Sequence, residues 1–150
     1  MIPGVRIALD FGLVRIGVAK CDREGLLATP LVTISAGPNA AAEVVKLVIE
    51  YQAVCVYVGK PISLAGKDTA STKSAQEFAR EISRHLSEVN VVVRLIDERL
   101  STVSAQRDLH AAGRNVKQSR DAIDQAAAVV ILEHALASER QSDGLAGEEV

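Results

Sequence analysis

The sequence predicts an α/β protein built on a mixed five-stranded sheet, with a three-stranded antiparallel meander, two further parallel strands and helices on both faces. Three observations predict it. Short apolar-alternating runs open the chain with tight links between them, as in a β-meander. Helical periodicity then alternates with β-branched runs, as in β–α crossovers. At 150 residues and 48% hydrophobic, the chain suits one compact domain with an ordinary core.

The elements follow in order. "VRIALDF" (5–11) sets Val5, Ile7, Leu9 and Phe11 on one face and Arg6, Ala8 and Asp10 on the other. "RIGVAKC" (15–21) and "LLATPLVTI" (26–34) complete the meander, and Pro30 marks an edge or a bulge. Asn39 is the expected cap of a helix over 40–51. "AVCVYVG" (53–59) reads as a strand buried on both faces. Residues 69–88 form an amphipathic helix with Phe78, Ile82 and Leu86 on one stripe. A strand over 89–97, a helix over 101–113, a polar loop over 114–120 and an apolar helix over 121–137 complete a domain over residues 1–138. The acidic end, 139–150, reads as a frayed tail.

Bulk properties narrow the function classes. Seventeen basic and 19 acidic residues give a net charge of −2, so any basic surface is local. Aromatics are 3% with no Trp, which argues against a base-stacking platform. Cys21 and Cys55 lie in apolar runs and read as reduced core thiols, as in a cytoplasmic protein. The start lacks a signal-peptide pattern, and no apolar run approaches the roughly 20 residues of a membrane span. A cytoplasmic protein with no membrane partner is expected.

In α/β sheets of this kind, sites form at the carboxyl ends of the strands. Asp10 ends the first strand, Glu98 lies just past the strand 89–97, and Asp124 lies in the first turn of the last helix. Hard divalent cations such as Mg2+ take oxygen ligands, a few carboxylates completed by waters and phosphate. Asp124 shares a stripe with Ala127, Ala128, Ile131 and Ala135, so it points toward the sheet. An acid there is costly unless paired or metal-bound; the plainer reading is a helix-dipole role, which Asp121 fits better. For Glu98 the plainer reading is a solvated acid paired with Arg99, and for Asp10 a turn acid beside Gly12.

Arg99, Arg107, Arg114, Lys117 and Arg120 cluster in residues 99–120 against Asp108 alone. They form either a solvated face or a track for a phosphate backbone. Lys60 stands at another strand's carboxyl end. His85, His110 and His134 have no metal-ligand spacing, and no Walker loop, nucleophile elbow or CxxC occurs.

Together "ALDFGLVRIGVAKCD", "LLATPLVTI", "VYVGKPISLAG", "DERLSTVSAQRDL" and "IDQAAAVVIL" resemble the YqgF/RuvX family of RNase H-like proteins, over residues 5 to 137. The resemblance implies an RNase H-like mixed five-stranded sheet and a metal-dependent nuclease using Mg2+ or Mn2+. The family's three acids map to Asp10, Glu98 and Asp124, and the Arg of its first motif to Arg15, facing substrate. Leu13-Val14 stand where the family often has Thr-Lys. Two substrates compete, the 5′ end of precursor 16S rRNA and a four-way DNA junction; the first suits a monomer, the second a homodimer with paired cuts. Two other readings are a catalytically idle nucleic-acid binder and a lobe of an actin-like ATPase, whose phosphate hairpin "LDFG…RIGVA" also resembles.

Overall fold

The computed structural model describes residues 2–61, 66–97 and 116–150, with backbone only for 116–119. The expected helix over 101–113 lies outside the described residues. Strands β1 (Val5–Phe11), β2 (Arg15–Cys21) and β3 (Ala28–Ser35) form the meander. Helix α1 (Ala40–Tyr51), strand β4 (Ala53–Lys60), helix α2 (Ala70–Leu86), a short 3-10 turn over Ser87–Val89 and strand β5 (Val92–Asp97) follow. Helix α3 (Val116–Ser142) and strand β6 (Glu148–Glu149) end the chain.

The sheet order is β3-β2-β1-β4-β5-β6. The meander pairs are antiparallel, β1–β4 and β4–β5 are parallel, and β5–β6 is antiparallel. The sheet thus has six strands rather than the five expected. Pro30 sits where both of its expected constraints apply: β3 is an edge strand, and the β2–β3 register shifts between Val18 and Ala19, at the residue opposite Pro30.

Alternation along the strands divides the core in two. Ile7, Leu9, Ile16, Val18, Val56 and Val58 face α1 and α2. Ala8, Ala19, Cys21, Cys55 and Tyr57 face α3. Thr69 caps α2: its hydroxyl accepts the Thr72 N–H while Thr72 reciprocates on the Thr69 N–H. Asn39, the expected cap of α1, makes no side-chain capping bond.

The end of the chain departs most from expectation. The boundary placed at 138/139 falls inside α3, which continues to Ser142 because Glu139 is an inward-facing residue, 1% exposed. Its carboxylate accepts from Arg6 Nη2 at 2.7 Å, Arg6 Nε at 3.2 Å and the Tyr57 hydroxyl at 2.7 Å. Burial works against the Arg6 cation, but the hydrogen bond and charge of Glu139 outweigh it and raise its pKa. Ala146 then packs into the core and its N–H donates to the Tyr57 hydroxyl. Arg94 donates to the carbonyls of Ala146 and Gly147, which carries the chain into β6 along β5. No helix among the described residues is long and apolar enough to cross a membrane.

Candidate active site

Asp10 is the sixth residue of β1 and stands directly opposite Gly17 of β2. Directly opposed residues project from the same face of the sheet. Asp10 alternates with Ala8 and Gly17 with Ala19, both of which pack under α3. Asp10 therefore leaves the sheet on the α3 side, at the carboxyl end of a parallel strand.

Asp124 comes to the same place from the helix. Ala127, Ala128, Ile131 and Ala135 are all buried, so the stripe read from the sequence is the one that packs. The approach is close: a Cβ at Gly17 would collide with the Asp124 carbonyl and lie 2.9 Å from the Asp124 Cβ. With opposed Cβ atoms about 5 Å apart, the Cβ atoms of Asp10 and Asp124 are separated by at most about 8 Å. That sets the two acids side by side on one face of the sheet, at the carboxyl end of β1.

Arg15 opens β2 on the same face, two residues before Gly17. Its Nε–H donates to Asp124 Oδ2 at 2.8 Å. The two side chains are 35% and 17% exposed, so water reaches the pair. Thr33, opposite Gly17 on β3, donates to the Asp121 carbonyl at 3.3 Å and accepts from Gln125 Nε2 at 3.0 Å. Asp121 thus meets β3 through its backbone, one turn before Asp124.

The remaining predicted positions separate. Lys60 alternates with Val56 and Val58, so it leaves β4 on the face opposite Asp10, and its Nζ donates to Glu148 Oε1 at 3.1 Å. Asp97, the residue before Glu98, ends β5 opposite Lys60. Arg120 is exposed, one turn before Asp124. Glu98, Arg99, Arg107 and Arg114 lie outside the described residues, as does the side chain of Lys117. His85 and His134 are exposed on separate helices. Among the described residues no three His, Cys, Asp or Glu side chains converge.

Sequence reasoning missed Gly17. Its signal was a glycine inside an otherwise apolar strand, which marks a close approach of another backbone. It also noted Arg6 on the face of Ala8 and Asp10 without assigning it a partner; a cation at a central-strand position needs a buried anion, and Glu139 supplies it.

A family model described as RuvX, Holliday junction resolvase, matches residues 4–138. The chain belongs to the RuvX family. Its relatives include a protein of Leifsonia xyli subsp. xyli, 46% identical over 93% of this chain and 90% of its own length. Another, from Streptomyces avermitilis, is 45% identical over 100% of this chain and 96% of its own. Both are named "Putative pre-16S rRNA nuclease". Among solved structures, T. thermophilus RuvC in complex with Holliday junction substrate aligns at a TM-score of 0.58 and 14% identity, over 95% of this chain and 98% of that one. At that identity the likeness establishes a shared fold. This RuvX chain is therefore a nuclease-family protein on a fold shared with RuvC.

Proposed function

We propose that this chain hydrolyses phosphodiester bonds of precursor 16S rRNA in maturation of the 5′ end, with Asp10, Glu98 and Asp124 as ligands of Mg2+ or Mn2+. The observation that carries the reading is the meeting of Asp10 and Asp124 on one face at the carboxyl end of β1, enforced by the missing Cβ of Gly17. The donor set fits a hard divalent cation: carboxylate oxygens, part-exposed, with no sulfur ligand beside them. A bound cation would polarise the phosphate and lower the pKa of its water. The chain's own residues do the rest. Asp10 and Asp124 would hold the cation, each from a different element. Arg15 and Arg120 put positive charge on the rim where a phosphate backbone approaches. Arg99, Arg107, Arg114 and Lys117 extend that charge along the chain between Glu98 and Asp124. The reaction belongs in the cytoplasm, where precursor rRNA is made.

The family description favours a second reading, cleavage of a four-way DNA junction. Paired cuts there call for a homodimer, whereas end trimming of rRNA works as a monomer. Labelled precursor 16S 5′ fragments and four-way junctions, each with Mg2+, Mn2+ or EDTA, separate the two. Metal-dependent cutting of the RNA alone supports the first reading; paired cuts in the junction alone replace it with the second.

A further inference from the structure

Taking Asp124 as a cation ligand, we propose that Arg15 is the resident counter-cation of the site. It holds Asp124 when no divalent ion is bound, and it yields Asp124 on loading, which frees its guanidinium for a substrate phosphate.

Four features support this. First, the Arg15 Nε–H lies on Asp124 Oδ2 at 2.8 Å, so one of the two carboxylate oxygens is committed to the arginine. A carboxylate shared between a guanidinium and a divalent cation binds each less well than alone. Second, the pair is part-exposed, 35% and 17%, so separating it does not strand a buried charge.

Third, Arg15 is not needed to seat α3. Thr33 ties the first turns of the helix to β3 through Asp121 and Gln125. Gly17 admits the helix backbone, and Ala127, Ala128 and Ile131 bury beneath it. The arginine therefore answers the charge of Asp124 rather than the position of the helix. Fourth, Asp10 leaves β1 opposite Gly17 and Asp124 lies on α3 directly over that glycine, so the two acids share one face of the sheet, and like charges near one another repel. Arg15 offsets that repulsion from the end of β2. The Val14 carbonyl accepts the Ala36 N–H at 2.9 Å, which fixes the backbone just before it. A guanidinium released from Asp124 stays tethered beside the site, with the planar fork that suits phosphate oxygens.

The test measures Mn2+ binding to wild type, R15Q and D124N in the absence of substrate, beside the Arg15 Nε–H resonance of wild type during Mg2+ titration. R15Q should bind Mn2+ about two- to fivefold more tightly than wild type, the scale of a part-exposed ion pair. In wild type the Nε–H should exchange slowly without metal and lose that protection as Mg2+ is added. In cleavage assays R15Q should raise KM for nucleic acid more than it lowers kcat. Equal or weaker Mn2+ binding by R15Q, or an Nε–H unaffected by Mg2+, would overturn the counter-cation role and leave the metal-dependent reading intact. Mn2+ binding that is the same in D124N as in wild type would overturn both. The wild-type resonance decides the question should R15Q fail to fold.

Discussion

Asp10 and Gly17 are paired across β1 and β2, and the side chain that Gly17 lacks is what lets Asp124 come down beside Asp10. One acid is set by strand register and the other by helix packing. The glycine between them links the two. It explains how acids 114 positions apart in the chain reach one face, and why position 17 of β2, next to Ile16 and Val18, carries no β-branched side chain.

G17A tests that link. The new methyl meets the Asp124 carbonyl, which is backbone and cannot swing aside. The first half of α3 must lift. Stability should fall by about 1–3 kcal/mol, as for overpacking elsewhere. Cleavage should fall on the order of 100-fold, since catalysis tolerates misplacement of about 1 Å poorly. Urea unfolding and single-turnover cleavage on the same preparation check both numbers.

The far end of α3 makes a separate prediction. Glu139 is held by Arg6 and Tyr57 with side-chain exposures of 0% and 2% for the ion pair. E139A leaves the Arg6 cation buried without its anion and should cost about 3–5 kcal/mol. Y57F removes one hydrogen bond to Glu139 and the acceptor of the Ala146 N–H, at about 1–3 kcal/mol. Denaturant midpoints rank the two variants.

Cys55 gives a pH dependence. Burial pushes its thiol from 9.0 up to about 12, against a lowering hydrogen bond from Tyr57. The unfolded chain releases that proton above pH 9 while the folded chain keeps it. The thiol's contribution is therefore fully present below pH 9 and declines as the pH rises toward 12. Unfolding free energies across that window should fall more steeply for wild type than for C55A, and Cys55 should resist alkylation until the protein unfolds.

Arg94 holds the last strand. It donates to the carbonyls of Ala146 and Gly147 and forms an ion pair with Glu149 at 3.6 Å. R94A should lower stability by about 1–2 kcal/mol, chiefly through the two carbonyls. Amide exchange should rise at β6 and along the edge of β5 while β1 and β2 keep their protection.

What was legible in the sequence had local causes. The sheet-facing placement of Asp124 was readable because an acid sat on a stripe of alanines and isoleucine, and the strand-end placement of Asp10 because an acid ended an alternating strand. Pro30 announced an edge and a register shift by its missing N–H. The features that escaped depend on partners far away in the chain. Glu139 looks like the start of a polar tail until Arg6 is placed opposite it, 133 residues earlier. The Glu148–Glu149 strand is held by Lys60 and Arg94, partners far back in the chain, after Tyr57 and Arg94 have fixed Ala146 and Gly147 before it. Lys60 stands at a strand end as expected, but β4 alternation turns it to the other face and Glu148 takes its charge.

The most direct measurement is cleavage of a labelled precursor 16S 5′ fragment by wild type, D10N and D124N, with Mg2+, Mn2+ or EDTA, after unfolding curves establish that both variants are folded. The account predicts cutting by wild type that needs the divalent ion and is lost on the order of 1000-fold or more in each variant. Folded D10N and D124N proteins that cut as wild type does, or wild-type cutting unaffected by EDTA, would contradict it.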